Sequence, residues 1–178
     1  MTSRREQILD VAERVLEDAG LDGFGIGELA RALGIKPPSL YKHFASLDAI
    51  EHALISRGFL LLAEALSPAS DLAGFCRAYR ARALAAPQLY RLMTERPLNR
   101  ELLDPGAELA GMAGILAFFG ESPGHHPRAR ATWAAAHGLV ALEIAGRFPP
   151  GADVAESWAV LVDALESRNT SGRRMPDD

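Results

Sequence analysis

The 178-residue chain has one cysteine, Cys76, and only two lysines, Lys36 and Lys42. A single thiol excludes a disulfide framework and a four-thiolate zinc site. No apolar run is long enough to cross a bilayer, and Met1-Thr2-Ser3-Arg4-Arg5 leads into a charged amphipathic segment rather than a signal peptide. No stretch shows strand-like alternation of useful length. The expectation is a soluble, cytoplasmic protein with no membrane partner. With 48% hydrophobic residues, the chain has enough apolar material for a substantial core. Its net charge of −4, from 19 Lys+Arg against 23 Asp+Glu, argues in bulk against a nucleic-acid partner. The local distribution argues the other way. Between Glu28 and Asp48 stand Arg31, Lys36 and Lys42 with no acid among them, a small positive island on an acidic chain.

The apolar periodicity is helical throughout and predicts an all-α fold of about nine helices. Ser3 and Glu6 have capping-box spacing. The helix they open carries Ile8, Val11, Ala12, Val15, Leu16 and Ala19 on one stripe and ends at Gly20. A second helix spans about Ile26 to Leu33, with Gly25 at its N-cap, and Gly34-Ile35-Lys36 forms a turn. Pro37-Pro38 start a third helix expected to reach Phe44, since proline suits the first helical position. Ser46 caps a long fourth helix, broken at Ser67-Pro68. Further helices are expected over 71–85, 87–95, 107–120, 127–148 and 154–167, the last opened by Asp153 and Glu156. The expected domains are 1–46, a three-helix DNA-binding unit, and 47–167, a helical regulatory and dimerisation unit. A polar, disordered tail is expected over 168–178.

Two short helices joined by a glycine-containing turn make a helix-turn-helix, whose second helix enters the DNA major groove. Ala30, Leu33, Ile35, Leu40 and Phe44 are its apolar residues, which leaves Lys36, Pro38, Ser39, Tyr41, Lys42 and His43 on or near the exposed side. A hydroxyl and a proline ring suit base edges, while Tyr, Lys and His suit bases and phosphates. Tyr41 is open to a second reading, as a core aromatic. The residues Leu29-Ala30, Gly34-Ile35, Leu40-Tyr41-Lys42-His43-Phe44 and Ser46 to Ile50 resemble the DNA-binding domain of the tetracycline-repressor (TetR) family. The resemblance covers about residues 5–55. It implies that Pro38 and Ser39 face base edges and that Tyr41, Lys42 and His43 contact phosphate or bases. Three positions depart from the family pattern: Gly25 replaces a Thr or Ser cap, Gly27 an Arg, and Leu47 a Lys. Each loses a phosphate-anchoring side chain.

In the C-terminal half, Ala78 to Leu84 and Pro87 to Met93 are similar to two consecutive helices of one TetR subgroup. Trp133, His137 and Gly138 resemble that subgroup's Trp-His-Gly segment. The resemblance implies a small-molecule effector and a homodimer built from the last two helices. The residues themselves point to a dimer: the helix from Pro127 is apolar on two sides, one stripe running through Trp133, His137 and Val140 and another through Ala135, Leu139, Leu142 and Gly146. Trp158, Leu161 and Leu165 extend the second stripe onto the last helix. Burial of both stripes within one chain is the alternative. Phe75, Tyr79, Leu84, Tyr90, Met93, Met112, Leu116, Phe119, Trp133 and His137 either line a ligand pocket or fill the core. With few charges among them, a mostly apolar or aromatic effector is expected, with Tyr79, Tyr90 and His137 as polar handles.

An enzyme finds little support. No base is signalled near Cys76, His125-His126 has no third metal ligand, and no glycine-rich phosphate loop is present, so no cofactor or metal is expected. The sequence reads as a ligand-responsive bacterial repressor acting on double-stranded operator DNA. A helical ligand-binding module that has lost DNA binding is its rival.

Overall fold

The computed structural model of the chain describes residues 3–119 and 126–171, the side chains of 168–171 excepted. Among the described residues all regular structure is helical: α1 (Arg4–Ala19), α2 (Ile26–Ala32), α3 (Pro37–Leu40), α4 (Leu47–Leu66), α5 (Leu72–Ala85), α6 (Pro87–Glu95), a 3-10 turn (Arg100–Leu102), α7 (Ala107–Phe119), α8 (His126–Ile144) and α9 (Val154–Ser171). Packing divides the chain in a different place from the 46/47 boundary expected from the motifs. One unit takes residues up to Leu61 together with Ala86–Gly111, and the other takes Leu62–Ala85 and the residues from Met112 on.

In the first unit α1 opens with the predicted capping box. The Ser3 hydroxyl accepts from the Glu6 N–H at 3.2 Å, and the Glu6 carboxylate accepts from the Ser3 N–H at 2.8 Å. Its buried face is Ile8, Leu9, Ala12 and Leu16; Ala19, expected on the stripe, is exposed. The turn from α2 to α3 is a Schellman motif. Gly34 takes φ 65°, donating to the Arg31 carbonyl at 3.1 Å, while the Ile35 N–H reaches the Ala30 carbonyl at 3.0 Å. A side chain at residue 34 would have to adopt this left-handed conformation, which favours glycine.

The third helix is shorter than expected. It stops at Leu40, and residues 41–43 form a turn in which the His43 and Phe44 N–H groups share the Leu40 carbonyl, at 2.9 and 3.1 Å. Two prolines at its start leave few N–H groups to build a ladder. Burial of Leu40 and Phe44 in the core with Leu16, Leu29, Ile50 and Leu54 holds it instead. Ser46 then caps α4, its hydroxyl accepting from the Ala49 N–H at 3.0 Å.

α6 is fixed to α1 by one carboxylate. Ala86 at the α6 N-cap has no side-chain acceptor, and the first turn is served by Glu17, which accepts from the Gln88 and Leu89 N–H groups at 3.1 and 2.8 Å. Gln88 returns the attachment by accepting from the Leu21 N–H at 3.2 Å. The segment after α6 lies on two buried polar residues of α4. His52 accepts the Asn99 N–H on Nε2 at 2.9 Å, and its Nδ1 lies 2.8 Å from the Asp48 carbonyl, so the neutral ring carries its proton on Nδ1. Ser56 accepts the Asp104 N–H at 2.8 Å and donates to the His52 carbonyl at 2.9 Å.

In the second unit α5, α8 and α9 pack on one another. α8 buries Ala129, Thr132, Ala136 and Val140, a stripe that coincides with neither of the two expected ones. Between α5 and α8, Arg80 makes a bidentate pair with Glu143 at 2.8 and 2.6 Å. That pairing draws the Glu143 carboxyl below its ordinary range, and desolvation opposes it. The Trp158 indole adds a smaller lowering from the same side, without closing a hydrogen bond of good geometry. α8 ends at Ile144, four residues short of Phe148. Gly146, with φ 62°, donates to the Glu143 carbonyl and Arg147 to that of Leu142, a second Schellman motif. Asp153 caps α9, accepting from the Glu156 N–H at 2.9 Å. The helix continues to Ser171, past the expected start of a disordered tail at 168; the rest of that tail lies outside the described residues.

Removing the Glu17 carboxylate leaves two α6 N–H groups without their acceptor. Glu17→Ala is therefore expected to cost about 1–2 kcal/mol, lowering the melting temperature by about 2–8 °C in a calorimetric scan. A second expectation concerns acid. A carboxyl whose folded pKa is depressed stabilises the fold above its unfolded pKa and loses that stabilisation as pH falls through the folded value. Stability measured from neutral pH down through the carboxylate range should thus fall less steeply in Arg80→Met than in the parent chain.

Candidate functional site

α2 and α3 present a continuous run of candidate contact residues. Lys36 is the extended N-cap of α3, with φ −81° and ψ 144°, and is exposed, as are Pro37 and Pro38 at the first helical positions. Ser39 is half-buried, Leu40 is fully buried, and Tyr41, Lys42 and His43 are exposed. Tyr41 is 53% accessible, which removes its alternative reading as a core aromatic. Phe44 returns to the core. The structure thus brings Lys36, Pro38, Ser39, Tyr41, Lys42 and His43 onto one short element anchored by the two apolar residues between and after them. Gly25 stands at the N-cap of α2 in extended conformation, with no side chain to cap it and open space where a Cβ would be.

The positive island is smaller than the sequence suggests. Arg31 is ion-paired with Glu28 on the same exposed face of α2. Among the described residues neither Lys36 nor Lys42 enters an ion pair, so the chain's two lysines carry the charge of this element. One further cation stands nearby: the Arg5 guanidinium lies 5.0 Å from the centroid of the Phe44 ring. Residue spacing gives no signal for this contact, which joins the first turn of α1 to the residue after His43.

The expected pocket residues separate. Phe75 and Tyr79 are buried and stacked at 5.7 Å, and Phe118, which the periodicity did not single out, meets Phe75 edge-on at 5.9 Å. Leu116 and Phe119 are half-buried on α7, with the Arg128 guanidinium 5.4 Å from the Phe119 ring. Trp133 is 45% exposed and stacks on His137 at 5.8 Å along α8. It follows Thr132 of the buried stripe, and one residue turns a helix by about 100°, which carries the indole outward. Tyr90 and Met93 belong to the other packing unit, where Met93 fills the space left by Gly58.

The expected dimer residues also divide. Ala135, Leu139, Leu161 and Leu165 are half-buried and Leu142 is 46% exposed. Val160, not singled out before, is 62% exposed. Trp158 is only 6% exposed, spent on its own unit's core, and Gly146 sits in the turn after α8 rather than on a helix face. Burial pushes the Cys76 thiol up to about 11, with Arg77 opposing and Glu166 reinforcing the shift. Of the paired histidines, His126 opens α8 and His125 lies outside the described residues. No helix among the described residues is long and apolar enough to cross a membrane.

Comparison with known proteins agrees with this geometry. Residues 8–58 match the family of bacterial regulatory proteins of the tetR type, and residues 72–165 match the tetracyclin repressor-like C-terminal domain. An uncharacterized HTH-type transcriptional regulator of Mycobacterium tuberculosis is 31% identical, covering 94% of this chain and 84% of its own. A solved protein of unknown function from Rhodococcus sp. RHA1 is 28% identical, with a TM-score of 0.73 over 93% of this chain and 94% of that one. A substituted TetR from Acinetobacter baumannii AYE, solved in complex with minocycline, has the same fold at 18% identity, with a TM-score of 0.71 over 98% and 100% of the two chains. Two family matches in tandem, the second covering more than half the chain, place this protein in the tetracycline-repressor (TetR) family of bacterial transcriptional regulators.

Proposed function

We propose that the chain is a cytoplasmic, homodimeric repressor that binds a near-palindromic operator and is released by a small, mostly apolar effector. The observation that carries this reading is the exposed run from Lys36 to His43 held over buried Leu40 and Phe44. In each subunit Pro38 and Ser39 meet base edges, while Tyr41, Lys42, His43 and Lys36 meet phosphates or bases, with the Gly25 backbone beside them. Two such elements sit about 34–36 Å apart, one DNA turn. α8 and α9 supply the second-copy surface, with Leu142 and Val160 as its large exposed apolar residues. The buried Phe75, Tyr79 and Phe118 cluster favours an aromatic or apolar effector, the class to which the ligand of one structural relative belongs. An effector favouring a conformer with the wrong separation of recognition elements needs a coupling free energy of about 1–3 kcal/mol.

The family is one of transcriptional regulators, not of enzymes. The second reading is a ligand-binding module with weak or lost DNA binding, favoured by Gly25, Gly27 and Leu47, which offer phosphate no side-chain group.

Binding to duplex from the protein's own promoter, measured over a salt series, separates the two. A repressor shows steep salt dependence, and Lys42→Ala is expected to reduce the log K against log salt slope by about 0.9. Tyr41→Ala combined with Lys42→Ala should abolish the shift while leaving effector binding intact; no shift by the parent chain at low salt favours the module. For the dimer, Leu142→Glu is expected to raise the dissociation constant at least about tenfold, because a desolvated carboxylate is costly, with little change in melting temperature. A monomeric mass for the parent chain by light scattering contradicts the dimer.

A further inference from the structure

We propose that Arg5 is a DNA-phosphate contact and that Asp104, from the segment joining α6 to α7, competes with DNA for it. The inference rests on the DNA-binding reading above and adds a residue and a control point to it. Arg5 sits against Phe44, the residue after His43, with its guanidinium 5.0 Å from the ring centroid. Its side chain is 45% exposed, and its carboxylate partner is Asp104 Oδ1 at 3.5 Å, the outer limit of a hydrogen bond. That contrasts with the tight bidentate geometries of Arg80 with Glu143 and Arg91 with Glu95. Arg31, the other arginine near the recognition element, is already neutralised by Glu28.

A guanidinium resting on an aromatic face, half-exposed and loosely paired, keeps donors for a phosphate, which it binds in bidentate fashion more strongly than a carboxylate at the limit of reach. Asp104 is not a free-floating competitor. Its backbone N–H is held by Ser56 on α4 at 2.8 Å, so the carboxylate's reach toward Arg5 depends on how this segment lies on α4. While the segment stays docked, Asp104 occupies Arg5; when it shifts, Arg5 is released to DNA.

The test measures affinity for a mixed-sequence DNA duplex over a salt series, with thermal melts as a check on folding. Arg5→Ala is expected to lower the log K against log salt slope by about 0.9. Asp104→Asn is expected to bind about twofold to fivefold tighter, the range an exposed ion pair can contribute, with the slope unchanged. In the Arg5→Ala background the Asp104→Asn gain should vanish, which separates competition at Arg5 from a general loss of negative charge. An unchanged slope in Arg5→Ala, or a gain from Asp104→Asn that persists without Arg5, overturns the proposal while the parent chain still binds. If Arg5→Ala does not fold, Asp104→Asn alone decides: no gain overturns the proposal. A parent chain that binds no duplex at low salt overturns the DNA-binding reading and this one with it.

Discussion

A helix of four residues cannot hold itself together, because nucleation costs more than so few hydrogen bonds return. α3 exists because Leu40 and Phe44 are buried among α1, α2 and α4. Full burial of each such side chain contributes about 1.5–3 kcal/mol, and the exposed residues around them inherit their orientation. The Schellman turn at Gly34 and the Ser46 cap of α4 set the chain's entry to and exit from this element. Glu17, His52 and Ser56 then dock α6 and the segment after it onto the same scaffold. The candidate DNA-facing surface is thus a by-product of a core, and its accuracy depends on that core.

Arginine and lysine are put to different uses. Arg31, Arg57, Arg80, Arg91 and Arg100 are each committed to carboxylates of the same chain. Exposed pairs of this kind contribute about 0–1 kcal/mol apiece, so their larger effect is on the field: they cancel charge locally. The two lysines flanking α3 stay outside such pairs among the described residues. An acidic chain can therefore present a positive element where DNA would lie, with weak non-specific attraction elsewhere.

Local chemistry made the N-terminal half legible in the sequence. Capping residues, glycine turns and the Leu40–Phe44 pattern act over three or four positions, and the structure places them as those spacings imply. What escaped was carried by partners far apart in sequence. Glu17 caps a helix beginning at residue 87, Asn99 bonds to His52, and Arg5 meets Asp104. α8 was misread for another reason. Its alanine-rich sequence is apolar nearly all round, so several stripes fit equally well and only packing against α5 and α9 selects Ala129, Thr132, Ala136 and Val140. The same ambiguity assigned Trp158 to a surface when it fills a core, and took Gly146 for a helix-packing glycine when it ends the helix.

Cys76 is the chain's one thiol, buried in the second unit and held far above neutrality in its ionisation. Thiolate, not thiol, reacts with alkylating reagents, so near neutral pH the native protein behaves toward a maleimide as though it had no cysteine. A single cysteine placed on an exposed position of α3 or α8 would then be the one reactive sulfur in the folded chain. The fold arrives already prepared for attaching a fluorophore or spin label at a chosen site, without first removing a native residue.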